Sequence, residues 1–249
     1  MTHYISADVR RVLRKPSFRG AVGAFAALFA VLVFIYADPS FTAEMYLAKV
    51  TGFLGFFPLG IGVFVFISVY ADDFKCQSMQ TAIGYGIPRS GIVLAKLLEG
   101  ALLLFGVAAI MALLVAGTPV VLGLAPNARQ LAALALSVAV EALRALGYLA
   151  LSAVPAFLLQ DAIGGIIAYV LLSSKTVYIV LTLILGQAIW VETIGDLTKA
   201  LYTAQLYALK DGLMRGDPFV LPLAVALLLY MALPTIIAVM GFRRKELAF

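Results

Sequence analysis

Charge is what this sequence is short of: Asp, Glu, Lys and Arg make up 12% of its 249 residues, where a soluble domain carries about 25%. With 63% hydrophobic residues and a mean hydropathy of +1.06, the chain is excluded from the ordinary water-soluble globules. Cysteine and histidine are nearly absent. The single cysteine, Cys76, excludes an intrachain disulfide, and with His3 as the sole histidine it offers no recognisable metal site. No G-x-x-x-x-G-K-[ST] occurs, which removes ATP binding by a P-loop, and H-E-x-x-H is missing. There is no Ser/His/Asp set and no cluster of carboxylates in an apolar run, so the common routes to hydrolase or metal chemistry in a membrane have no visible machinery. No catalytic residue, cofactor or metal is assigned to the chain. Elimination leaves transport or a scaffold role.

What the sequence does have is long apolar runs. Several reach the roughly 18 to 20 residues that cross hydrocarbon as a helix, and none alternates like a barrel strand. The expected fold class is therefore an all-α integral membrane protein. Runs at roughly 20–37, 50–71, 91–117, 131–158, 162–188 and 218–241 predict six transmembrane helices. The net charge of +5 does not point to nucleic acid, because the basic residues cluster beside the spans, where they set topology and meet anionic membrane lipids. The first run, "GAVGAFAALFAVLVFIYA", exceeds a usual signal h-region and ends without a small residue before Tyr36-Ala37, so a cleaved signal is not expected.

The basic residues also predict orientation. Residues 1–19 hold Arg10, Arg11, Arg14, Lys15 and Arg19; 72–96 hold Lys75, Arg89 and Lys96; 242–249 hold Arg243, Arg244 and Lys245. The opposite side holds Lys49, Arg129, Lys199, Lys210 and Arg215. Eleven against five puts both termini and residues 72–90 in the cytoplasm. The very short link "LLQDAIGG" makes the fourth and fifth spans antiparallel neighbours. In residues 189–217, Ile194, Leu197, Leu201, Ala204, Leu206 and Leu209 recur at mainly helical spacing, which predicts one or two amphipathic helices on the outer surface. Tyr4, Ile5, Val9, Val12 and Leu13 among basic residues predict a cytoplasmic helix along the bilayer within residues 1–19, ended by Pro16. Residues 1–249 read as a single transmembrane domain.

The connection after the second span, from Ala71 to Pro88, is longer than neighbouring helices require. Its "DFKCQSMQTAIG" core can form a short helix before Gly84, Gly86 and Pro88 break it. The plain reading is a solvated loop in which Asp72 and Asp73 end one span while Arg89 and Lys96 anchor the next. Yet the order of residues here, Asp72, Asp73, Lys75, Ser78, Gln80, Thr81, Gly84, "YGIPRS" with Arg89, then Lys96, resembles the coupling helix of type-2 ABC exporter permeases. It departs from many of them in having "QSMQT" where they have Gly-Thr. The "GYGIPRSGIVLAK" wording is most similar to small permeases of bacitracin-resistance and lantibiotic-immunity type. The resemblance implies a permease in a bacterial plasma membrane that exports an amphipathic substrate, an antimicrobial peptide or lipid-like compound. It implies a second permease copy or related permease, and separate ATPase subunits that bind ATP and Mg and dock on residues 72–90. Other classes stay open: an ion-coupled secondary transporter using Glu141, Arg144 and Lys175, or a non-transporting membrane scaffold or sensor.

Charges also fall inside the predicted spans. Glu141 and Arg144 lie three apart on one helix face, and each alone would cost about 2.5 to 3.5 kcal/mol at a bilayer centre, so they should pair. They read either as a packing ion pair or as part of the substrate route. Lys175, flanked by Ser173, Ser174 and Thr176, either faces a dimer interior from one long tilted helix ending near Gly186, the favoured reading, or marks a break. Glu99 is placed to pair with Lys96 or the N-terminal arginines. Gly52, Gly55, Gly60 and Gly62 allow close packing, in a dimer face or elsewhere.

The charge count is testable with the native cysteine. Cys76 should resist a membrane-impermeant maleimide in intact cells and react in inverted vesicles; labelling only in intact cells reverses the orientation.

Overall fold

The computed structural model describes residues 2–38, 40–193, 195–217 and 220–244, and all regular structure among them is helical. Ile194, Lys245 and positions 218 and 219 of the expected sixth span lie outside the described residues. Five helices are long and apolar enough to cross a bilayer, and a bent pair supplies a sixth crossing if counted as one span. The chain is thus all-helical, with the long apolar helices of a multi-pass membrane protein.

Helix α1 (Thr2–Arg14) is amphipathic and buries Val12. Lys15 is extended, and Pro16 opens α2 (Pro16–Tyr36). Pro16 therefore begins a helix as well as ending one, at the position where its missing N–H costs nothing. The second span, α3 (Ala43–Lys75), starts earlier and ends later than the apolar run suggests. Thr42 caps its start, accepting the Met45 N–H at 3.3 Å. At the other end the helix absorbs Asp72–Lys75, so the polar connection is shorter than expected.

Helix α3 is irregular inside. The Phe56 N–H bonds Phe53 at 2.9 Å, and Pro58, which has no N–H, opens a π-wound segment, Pro58–Gly62. A second π-wound segment, Ile67–Ala71, follows. Wider turns of this kind are rare and collect at functional sites.

After a left-handed Gln77 comes the short helix α4 (Ser78–Gly84), then the spans α5 (Arg89–Val121) and α6 (Ala128–Leu159). A reciprocal cap starts α6: Gln130 N–H donates to Asn127 Oδ1 at 2.8 Å, and Asn127 N–H to Gln130 Oε1 at 2.9 Å. This helix is the axis of the bundle, touching α3, α5, α7 (Ala162–Ser173) and the last two helices. Ala142, Ala145, Gly147, Ala150, Ala153 and Ala156 let its neighbours come close.

The fifth span is not one tilted helix. It breaks at Ser174 and resumes as α8 (Lys175–Leu185) with a 68° bend. The polar run Ser173–Thr176 ends the first piece, and the turn swings Lys175 onto α3. The outer end does break at Gly186. Helix α9 (Ala188–Thr193) buries nothing, and α10 (Tyr202–Arg215) is one of the helices expected between the fifth and sixth spans. It docks on α6 and α11 (Val220–Arg244), burying Tyr202, Thr203, Leu206 and Gly212.

The glycines of α3 serve packing within this chain. A Cβ at Gly62 would lie 1.8 Å from Tyr169 Oη, and one at Gly60 would lie 2.9 Å from the Phe25 ring, whereas Gly52 has open space. Gly62→Ala should therefore lower the melting temperature of the detergent-solubilised protein, with the roughly 1–3 kcal/mol cost of overpacking. Gly52→Ala should leave it unchanged, and Tyr169→Phe should recover part of the Gly62→Ala loss.

Candidate functional site

Two clusters of charge tie the helices together, one level with the C-terminal end of the central helix, where Phe74 packs on Phe157, and one at its middle. The first joins α1, α3 and α5. Arg11 Nη2 donates to Asp73 Oδ1 at 2.7 Å and Lys15 Nζ to Asp72 Oδ2 at 2.7 Å. Lys96, 0% exposed, donates to Asp8 Oδ2 at 2.5 Å and Glu99 Oε2 at 2.9 Å, and is ion-paired to Asp73 as well. The Tyr4 ring lies 5.1 Å from the ammonium.

Three carboxylates on one buried ammonium, with Arg11 and Lys15 sharing the acidic pair, balance charges that apolar surroundings would otherwise make expensive. Burial pushes the Tyr4 phenol up to about 12, against the pull of Lys96. Burial works against the Arg11 charge, but Asp73, Asp8 and Asp72 outweigh it and raise its pKa.

This geometry sorts the residues singled out in the connection. Asp73 is 1% exposed and turned inward, so its carboxylate is a tie within the bundle and has no free face for a docking subunit. Asp72 is half-buried beside Lys15. Arg89 donates to the Phe242 carbonyl at 3.2 Å and sits over that ring, tying α5 to the end of α11. Ser78 and Gln80 are half-buried, while Lys75, Thr81 and Gly84 are at the surface. A hollow of about 210 Å³ lies beside α4, lined by Phe74, Gln77, Met79, Gln80, Gln160 and Phe242 together with Asp73. An aromatic ladder, Phe66 to Tyr70 at 4.6 Å, Tyr70 to Phe157 at 5.7 Å and Phe157 to Phe242 at 5.0 Å, backs this end of the bundle.

The second cluster answers the charges inside the spans. Arg144 Nη2 lies 2.9 Å from Glu141 Oε2, an ion-pair contact, and both side chains are buried. The same nitrogen donates to the Gly55 carbonyl at 2.6 Å. The Tyr207 hydroxyl donates to Glu141 Oε1 at 3.0 Å and contacts Arg144. Lys175 reaches the Gly52 carbonyl at 3.3 Å and lies 4.0 Å from the Phe56 ring centre. Because the Phe56 N–H has turned to Phe53, the Gly52 carbonyl has lost its usual helical donor. Two cations thus satisfy carbonyls beside the break in α3, where an unpaired group in an apolar medium is costly.

Arg144 stands 15 residues from the end of α6 at Leu159, roughly 22 Å at the usual helical rise. Ala128 lies 16 residues on its other side, so the pair sits at the middle of α6, where the sequence places it. Sequence reasoning missed Asp8 and Tyr207. Asp8 is the lone acid in a basic amphipathic helix, and Tyr202 and Tyr207 punctuate an otherwise ordinary amphipathic pattern. Among the described residues, no set of three or more His, Cys, Asp and Glu side chains is arranged to hold a metal ion.

No protein-family model matches the chain, and no curated protein is significantly similar to it.

Glu141→Gln and Arg144→Met should each lower the melting temperature, consistent with the 3–5 kcal/mol seen when one partner of a buried pair is removed. The double change should recover only part of the loss, because the Gly55 carbonyl still lacks its donor. Strictly additive losses would show that the two side chains already reach water.

Proposed function

We propose that this chain is the membrane-spanning permease subunit of an ATP-driven ABC exporter. Two copies, or one copy with a related permease, form the pathway in a bacterial plasma membrane. Separate ATPase subunits, which bind ATP and Mg, dock under α4, with both termini on the same cytoplasmic side. The substrate is amphipathic, an antimicrobial peptide or lipid-like compound entering from the bilayer.

The observation that carries this reading is the anchoring of α4. This short helix presents Thr81 and Gly84 outward, with Lys75 before it and Tyr85 after it also at the surface, Tyr85 at 85% exposure, while Met79 and Ala82 are buried against the bundle. A handle exposed on one face and rigidly rooted on the other suits a part that transmits force. Its roots are the Asp73–Lys96–Asp8 knot on one flank and the Arg89–Phe242 contact on the other. Closure of docked ATPases would move α4, and through these ties α1, α3, α5 and α11, between two arrangements of the spans.

A secondary transporter is the second reading, favoured by the 68° break at Ser174 beside Lys175, Glu141 and Arg144. Broken helices with charges at the break mark ion-coupled carriers when they recur in two related halves. Here the marked bend is in one span only, among the described residues.

Copurification separates the two. Expressed with its native partners, the tagged chain should bring down a subunit that is photolabelled by an ATP analogue. Deleting residues 75–82, or replacing Thr81→Arg with Tyr85→Ala, should abolish that association while membrane insertion persists. Undiminished recovery of the labelled subunit after either change overturns α4 as its dock. Absence of any such subunit from the unaltered chain, with ion-driven uptake in proteoliposomes, favours the carrier.

A further inference from the structure

Two cavities meet beside the break between α7 and α8. One, of about 210 Å³, has two cations on a largely apolar wall: Arg144, Lys175, Ser173, Ser174 and Tyr207 line it, along with Tyr148, Tyr178 and Thr203. The other, of about 370 Å³, is apolar, with Leu151, Leu172, Val177, Leu181 and Leu185 on its walls. They share Tyr148, Tyr178 and Thr203, so one continuous site runs from charged to greasy. Its size lies within the roughly 300–1,000 Å³ of ligand pockets.

The charge in the smaller chamber is unbalanced. Glu141 is matched by Arg144, but Lys175 has no carboxylate within ion-pair distance among the described residues; its ammonium meets only a carbonyl and an aromatic face. Arg144 keeps a buried Nε–H without a partner. The chamber thus offers one net positive charge. The outer wall of the apolar chamber is α8, which buries none of its own residues and turns Leu183 and Ile184 outward.

We propose that this is a binding site for an amphiphile with a single anionic head group, its carboxylate or phosphodiester on Lys175 and the Arg144 edge and its hydrocarbon chain between α6 and α8. A cationic or neutral head would leave Lys175 uncompensated, and a wholly polar anion would leave the apolar chamber empty. The proposal deepens the transport reading by naming where an amphipathic substrate lodges. Its test needs no ATPase, so either idea can fail without the other.

The test titrates the purified chain, in phosphatidylcholine nanodiscs, with oleate and with oleyl alcohol, counting bound molecules by native mass spectrometry against protein-free discs. Saturable binding of one oleate per chain is expected, with oleyl alcohol weaker by about tenfold or more, the worth of a hydrogen bond to a charged group. Lys175→Gln should weaken oleate about tenfold and leave oleyl alcohol unchanged. Lys175→Arg should keep oleate binding, and Leu181→Trp, which fills the apolar chamber, should weaken both ligands. Arg129→Gln, at the exposed start of α6, should change neither. Competition by phosphatidylglycerol built into the disc identifies a membrane lipid as the natural occupant; its failure to compete identifies a free single-chain amphiphile. Either outcome upholds the site. Unsaturable uptake equal to that of empty discs overturns it, as does oleate binding unaltered by Lys175→Gln or by a folded Leu181→Trp protein.

Discussion

An ammonium group with no contact with solvent holds one end of this bundle together. Lys96 is buried among carboxylates from three elements, Asp8 of α1, Asp73 of α3 and Glu99 of its own helix α5. An isolated charge in such a place costs several kcal/mol, so the three acids are a condition for Lys96 to be there at all. The converse also holds, since Asp73 would be an unpaired buried anion without Lys96 and Arg11. The position of α1 against the spans, the end of α3 and the start of the exposed connector all follow from this mutual requirement.

The same rule operates at the middle of α6 with backbone groups in place of carboxylates. Pro58 and the turned Phe56 amide interrupt α3, and the Gly52 and Gly55 carbonyls would be left facing hydrocarbon. Arg144 and Lys175 answer them. Lys175 can do so because the fifth span bends at Ser174, bringing the first residue of α8 against α3. A straight helix there would leave both the carbonyl and the ammonium to find other partners. The break in one helix is thus accommodated by the break in another.

Much of the architecture was legible because apolar length and charge placement are local properties. The helical class, the boundaries of α5 and α6 within a few residues and the Glu141–Arg144 pairing on one helix face all follow from spacing. The Lys96–Glu99 contact is legible for the same reason, three residues apart. What was not legible depends on meetings between distant segments. Asp73 looked like a surface acid because nothing in "ADDFK" reveals that Arg11 and Lys96 converge on it. Tyr207 looked like part of a surface helix because its partner lies on α6. The bend at Ser174 was legible as one of two alternatives, but high apolarity on both sides favoured a single long helix, and two serines before a lysine are tolerated within many helices.

These two clusters lie on one element. Helix α3 carries Gly52 and Gly55 toward one end and Asp72 and Asp73 at the other, a separation of roughly 25 Å, with both π-wound segments between them. If α4 is a handle, as proposed, the rigid path from it to the intramembrane charges runs along α3, with the aromatic ladder through Phe66, Tyr70 and Phe157 bracing it against α6. A π-wound turn holds an extra residue, and a helix can shift register there at lower cost than at an ideal turn. Movement of the Asp73 end could then be absorbed at Ile67–Ala71 or passed on to the carbonyls that Arg144 and Lys175 hold. The choice turns on whether the Phe66–Tyr70 stack yields, because that contact spans the second π-wound segment and packs on both α6 and α7. Its rings are fully buried, and close-packed interiors transmit displacement better than they absorb it. The packing therefore favours transmission along α3 to the site where Lys175 waits without a counter-ion.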